Sequence, residues 1–118
     1  MTDIVRIETN QRMSRVVKAG GLVFVGGQTS ADHTPDVKLQ TAKVLEKIDG
    51  YLEKAGIDKT RLVSAQVWLA DIARDFAGMN EVWDEWVPQG HAPARATVQA
   101  KLAAPELLVE IAVVAAFL

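Results

Sequence analysis

Residues 107–118 read LLVEIAVVAAFL. At the two-residue period of a strand, Leu107, Val109, Ile111, Val113 and Ala115 fall on one side, with Leu108, Ala112, Val114 and Ala116 opposite. Both sides are apolar, and such a strand must be covered on both. Glu110 is the one ionisable side chain in the run. A carboxylate there is costly unless something pairs with it or uses it. The rest of the chain therefore has to supply two covers and a reason for Glu110. Parity alone does not say which cover lies over that carboxylate.

Immediately upstream, residues 95–102 alternate. Ala96, Val98, Ala100 and Leu102 share one face, and Arg95, Thr97, Gln99 and Lys101 the other. Arg95 opens this strand just after a proline turn and is the obvious ion-pair partner for Glu110. Further back, residues 61–70 form another strand, with Val63, Ala65, Val67 and Leu69 against Ser64, Gln66 and Trp68. Between these strands, a turn over 71–75 precedes Phe76, Met79, Trp83 and Trp86 at helical spacing, and Pro88-Gln89-Gly90 ends that helix. The aromatic stripe reads as core packing, because a base-stacking platform would have basic residues around it.

In the N-terminal half, residues 4–8 read as a first strand. Residues 16–19 and 22–25 flank Gly20-Gly21, a two-residue hairpin signal. The third strand runs into Gly26-Gly27-Gln28, which fits a plain turn, a bulge or a close backbone approach. After a loop over 29–35, Thr34-Pro35-Asp36 reads as N-cap, first-turn proline and first-turn acid. Thr41, Leu45, Ile48, Leu52 and Ala55 then define one buried helical face. Gly56 supplies a left-handed stop, with Ile57 placed for the accompanying contact. The order is β-β-β-α-β-α-β-β. Two helices cover one face of such a sheet, so the other calls for a second chain.

The 118 residues form one domain, 1–118. Thirteen basic and fifteen acidic residues give a net charge of −2 with no basic stripe, which argues against nucleic acid as a partner. There is no cysteine, so no disulfide or thiolate chemistry, and a cytoplasmic location is expected. The N-terminus lacks a signal-peptide core, and the longest apolar run is far too short to span a bilayer. His33 and His91 lack ligand-spaced acids, so no metal site is expected. No phosphate-binding glycine loop or nucleophile elbow occurs. Chemistry then rests on few groups. Arg95 either holds a carboxylate in its planar fork or pairs structurally with an acid. Glu110 either acts on a water as general base or sits in an interface ion pair. Gly27 offers a backbone N–H, Thr97 points the same way as Arg95, and Asn80 is a cleft residue or a helix-surface amide.

Four segments carry a family resemblance: RMSRVVKAGGLVFVGGQ (12–28), DFAGMNEVWDEWV (75–87), APARATVQAKL (92–102) and LVEIAVVAA (108–116). In order and over nearly the whole chain they resemble the RidA/YjgF family of reactive-intermediate (enamine/imine) deaminases. The most specific part is P-A-R-x-x-V-x-A-x-L from Pro93, followed by V-E-I at 109–111. Residues 79–99 look closest to the RutC-like branch. The resemblance implies an α+β fold of the bacillary chorismate mutase type: a mixed six-stranded sheet with two helices on one face. It implies homotrimers with clefts between subunits, and hydrolysis of 2-aminoacrylate and related 2-imino acids to 2-oxo acids and ammonia, without metal or organic cofactor. The expected ligand is a small 2-imino or 2-oxo carboxylate. Carried over by position, Arg95 would clamp the substrate carboxylate with support from the Gly27 N–H. The Thr97 carbonyl and the Glu110 carboxylate would place water, and Asn80 matches a cleft asparagine. Met13 stands where many members have tyrosine, and Thr97 where cysteine is frequent. The alternatives are a non-catalytic carboxylate-binding or sensing trimer and an endoribonuclease, a label attached to some relatives.

Overall fold

The computed structural model describes residues 3–117, so Leu118 of the opening stretch lies outside the described residues. The strands are β1 (Val5–Thr9), β2 (Ser14–Ala19), β3 (Leu22–Gln28), β4 (Leu62–Leu69), β5 (Ala94–Gln99) and β6 (Val109–Ala116). The helices are α1 (Val37–Lys54) and α2 (Ile72–Trp86), with a single 3-10 turn at Lys59–Arg61 before β4. One mixed sheet is ordered β1-β2-β3-β6-β4-β5, and β4–β5 is its parallel pair. The expected α+β architecture is present, and β6 lies inside the sheet between β3 and β4.

Gly20 and Gly21 both have positive φ, as the primed turn joining β2 to β3 requires. Asp36, not Thr34, caps α1: its carboxylate accepts from the Lys38 and Leu39 N–H groups, while its own N–H bonds back to the Thr34 carbonyl. Pro35 therefore precedes the cap instead of opening the helix. Val44, Leu45, Ile48 and Leu52 are fully buried, as the helical spacing requires. At its other end Gly56 has φ 86°, and the Ile57 and Gly56 N–H groups close on the Leu52 and Glu53 carbonyls. That double bond is the Schellman stop anticipated from Gly56-Ile57. Gln40, fully buried on α1, donates to the Thr34 and Glu106 carbonyls and accepts from the Leu108 N–H at 2.9–3.0 Å. One amide thus ties the start of α1 to the chain just before β6.

Four further local readings are corrected. The residues 71–75 do not form a turn, because α2 already starts at Ile72 with Asp71 as its cap. Its buried stripe is Asp75, Met79 and Trp83, and this phase leaves Phe76 44% exposed instead of in the core. Val63 is 47% exposed because a register shift between Leu62 and Ser64 takes it off the buried face of β4. β5 ends at Gln99, short of Leu102. β4 ends at Leu69, whose carbonyl bonds the Ala100 N–H, and no further partner strand follows.

The register sorts the sheet into two faces. Val25, Val113, Ala65 and Arg95 lie in one row, and Gln28, Ile111, Val67 and Thr97 in the next. These rows face the helices, and Val109, Ile111, Val113 and Ala115 on β6 are buried there. The opposite face carries Phe24, Val114, Ala112, Ala96 and Val98 and has no helix over it. Phe24 and Val98 stay 42% and 46% exposed. Among the described residues no helix is long and apolar enough to cross a membrane.

Two helical glycines offer opposite tests of this packing. A methyl group on Gly78 of α2 would sit 2.9 Å from Val37 Cγ1, whereas one on Gly50 of α1 meets nothing within 4 Å. Gly50→Ala should stabilise by about 0.5–1 kcal/mol through helix propensity. Gly78→Ala should destabilise by about 1–3 kcal/mol through overpacking. Urea unfolding of both variants checks the pair.

Candidate functional site

The sequence-derived site residues separate into two groups. The first forms around the end of β3. Val25 and Gln28 both face the helices, pairing with Val113 and Ile111, so Gly26 and Gly27 form a bulge between them. Gln28 is buried and its Nε2 donates to the Gly26 carbonyl at 3.0 Å, which holds the bulge in shape. Gly27 is thereby turned onto the face that carries Glu110. A methyl group on Gly27 would meet Glu110 Cδ at 3.0 Å and Cγ at 3.3 Å. The chain can pass the carboxylate this closely only without a side chain. Met13, 37% exposed, completes this group. Its Cε comes within 3.7 Å of where a methyl on Gly26 would be. Of the readings open for Gly26-Gly27, the structure selects bulge and close approach together.

The second group lies on edge strand β5 and on α2. Arg95 faces the helix layer: its guanidinium lies 5.1 Å from the Trp83 ring centroid, and Nη1 donates to the Met79 sulfur at 3.8 Å. Burial pushes the guanidinium pKa down from its ordinary value, and the negative charge of Asp84 partly offsets this. Arginine keeps its charge through such a shift. Thr97, two residues on, shares that face, and its buried hydroxyl has no hydrogen-bond partner among the described residues. Asn80 is half-buried on α2, next in sequence to the Met79 that touches Arg95.

Of the two alternatives open for this pair of charges, direct pairing does not occur within the chain. Arg95 does not pair with Glu110: Arg95 is in register with Ala65 on the helix-covered face, and Glu110 is in register with Trp68 on the open face. Neither charge forms an ion pair among the described residues, although Lys38–Glu81, Lys54–Glu8 and Arg74–Asp75 do. The sequence reading missed two supports. Met79 and Trp83 were assigned only to the core, yet they also form the bed under Arg95. Gln28 was passed over, and the signal for it was a polar amide ending an apolar strand next to paired glycines. The described residues contain no cluster of metal-ligating side chains.

What the two groups can do separately is limited. One presents a carboxylate packed against the Gly27 backbone on an open sheet face. The other presents a guanidinium on a flat aromatic bed, with a hydroxyl on the same face.

Comparison with known proteins adds the following. The family model described as Endoribonuclease L-PSP matches residues 3–117. A RutC family protein of Haemophilus ducreyi is 43% identical over 113 residues, which is 96% of either chain. The RutC family protein YoaB of Escherichia coli is 45% identical over 113 residues, 96% of this chain and 97% of that one. The crystal structure of a YjgF family member from Neisseria meningitidis matches with a TM-score of 0.93 at 43% identity, over 97% of this chain and 94% of that one.

Gly27→Ala should leave the fold intact and displace the Glu110 side chain, because the new methyl takes space now held by the Glu110 carboxylate, Oε2 first. A crystal structure of the variant checks this. A Glu110 carboxylate in its original place would contradict the close approach.

Proposed function

The chain belongs to the YjgF/RutC family, whose model is described as Endoribonuclease L-PSP, and on that premise we propose that it hydrolyses reactive 2-imino and enamino acids to 2-oxo acids and ammonia. The observation that carries this reading is the separation of Arg95 and Glu110. Neither forms an ion pair among the described residues, and they lie on opposite faces of one sheet. A second copy that covers the open apolar face can bring its β5 edge up to the first copy's Glu110. The site then forms in a cleft between copies, and three such copies close a homotrimer with three clefts.

In that cleft Arg95 of one copy grips the substrate carboxylate through its planar fork, and the Gly27 N–H of the other supports it. Asn80 borders the arginine side. The Thr97 carbonyl and the Glu110 carboxylate accept the two protons of a water and aim its oxygen at the imine carbon. An enamino acid enters as its imine tautomer. As the water oxygen bonds to carbon and the C=N π bond opens, Glu110 takes one water proton and passes it to the nitrogen, giving the tetrahedral carbinolamine. Glu110 then moves the hydroxyl proton to the nitrogen in the same way, the C–N bond breaks, ammonia leaves, and the C=O of the 2-oxo acid forms. Every atom comes from imine and water, so the route asks for no metal or organic cofactor. Free imines already hydrolyse readily, so orientation and one positioned base are sufficient.

The second reading is a trimer that binds or senses small carboxylates without turnover. Met13 favours it, since a thioether is only a weak acceptor where a tyrosine hydroxyl would donate. A nuclease reading has less support, because a net charge of −2 and scattered basic residues suit phosphate neutralisation poorly.

The test generates 2-aminoacrylate enzymatically from serine and follows its loss by semicarbazide trapping. The protein should accelerate that loss, and Arg95→Ala should abolish the effect. Glu110→Gln should lower kcat by about 10²–10⁴-fold with little change in KM. Mixing the two variants as unfolded chains and refolding them together should restore activity in about a quarter of the clefts, by random assortment of copies. No restoration would place both residues in one chain's site, and no acceleration by the parent protein would remove the deaminase reading. Binding of 2-oxo acids without turnover would favour the second.

A further inference from the structure

The β1–β2 hairpin has a shallow depression at its tip, lined by Arg6, Gln11, Arg12, Met13, Ser14 and Val17 among others, and no acidic side chain contributes to it. Arg6 is in register with Val17, Val17 with Phe24 and Phe24 with Val114, so Arg6 projects on the same sheet face as Glu110. The tip is built, not loose. Asn10 Oδ1 accepts from the Arg12 and Met13 N–H groups at 2.8 and 3.0 Å, and the Asn10 N–H returns a bond to the Met13 carbonyl at 2.9 Å. The hydroxyls of Thr9 and Ser14 close the base of the turn at 2.7 Å. Neither the Arg6 nor the Arg12 guanidinium forms an ion pair or hydrogen bond among the described residues. Met13 lies between the two places: it lines this depression, and its Cε is 3.7 Å from where a methyl on Gly26, next to Gly27, would be.

Two unneutralised guanidiniums, Arg12 on the braced turn and Arg6 on β1 beside it, with no acid lining the depression, suit an anion. We propose that this depression takes the distal carboxylate of the ligand, so that the cleft prefers 2-imino and 2-oxo dicarboxylates over their monocarboxylate counterparts. Arg95 from the other copy would hold the first carboxylate, and the Met13 thioether would line the path of the carbon chain between the two. The turnover part of this proposal rests on the deaminase reading, whereas the binding part requires only the cleft. The reaction itself is unchanged: water adds to the imine carbon, ammonia leaves, and the distal carboxylate takes no part in bond making.

The experiment has a binding arm and a turnover arm. Calorimetry compares 2-oxoglutarate with 2-oxobutanoate, at low and high salt. Turnover compares 2-iminoglutarate and 2-iminobutanoate, generated from the amino acids by oxidases with catalase present. The expected result is a preference of at least about tenfold for the five-carbon dicarboxylate in both arms, weakening as salt rises. The double variant R6Q/R12Q should bring the ratio close to one, while Lys43→Gln on the outer surface of α1 keeps it. Equal affinity for the two 2-oxo acids, or binding of neither, overturns the proposal. So does a preference that survives R6Q/R12Q. If neither imine is turned over but 2-oxoglutarate still binds preferentially through Arg6 and Arg12, the subsite stands and the deaminase reading falls.

Discussion

The structure depends on the need to cover both sides of β6. This strand lies inside the sheet, and its alternate side chains are apolar both ways. The helix layer covers Val109, Ile111, Val113 and Ala115. Among the described residues no helix covers Ala112, Val114, Phe24 and Val98, and Phe24 and Val98 stay exposed. An exposed strip of that kind is unfavourable for an isolated chain and suited to an interface. Glu110 sits in the uncovered row. Its carboxylate therefore belongs to the region where a second chain would close over the sheet.

The charged groups are held by small, specific devices. The Gly26–Gly27 bulge changes which residues of β3 face the core, and the buried Gln28 amide pins it. Without that extra residue, alternation from Val25 would point Gly27 at the helices and away from Glu110. Arg95 solves a different problem. It stands in a row otherwise filled by Val25, Val113 and Ala65, where a charge is poorly placed. A flat bed of Trp83, the Met79 sulfur and the more distant charge of Asp84 make its position tolerable without supplying a carboxylate. A guanidinium held this way keeps its fork available for an incoming anion.

Much of this was legible in the sequence because its signals are local. Gly20-Gly21 set the hairpin, Gly56-Ile57 stopped α1, and the alternation of residues 95–102 put Arg95 and Thr97 on one side. The doubly apolar β6 announced an uncovered face. What could not be read depends on pairing between distant segments. Arg95 and Glu110 sit 15 residues apart and look like partners, but only the registers of β5 and β6 on β4 reveal opposite faces. Val63 left the core through a register shift that its own alternation cannot encode. Phe76 was misplaced because the buried stripe of α2 runs through Asp75, Met79 and Trp83, and Phe76, one residue past Asp75, falls about 100° off it. Pro35 drew the α1 cap toward Thr34, when the Asp36 carboxylate was the better acceptor for the first N–H groups.

The order β1-β2-β3-β6-β4-β5 has a consequence for how the chain folds. The latest of the six strands in chain order is the one that joins the two halves of the sheet. Until β6 docks, β1–β3 and β4–β5 share no strand pairing, and the buried face of α1 lacks part of its floor. The chain must therefore hold its apolar segments without a finished core until β6 is in place. Folding then waits on contacts between distant segments, which set its rate. Truncation by even the length of β6 would leave two unjoined pieces, not a smaller version of the same fold.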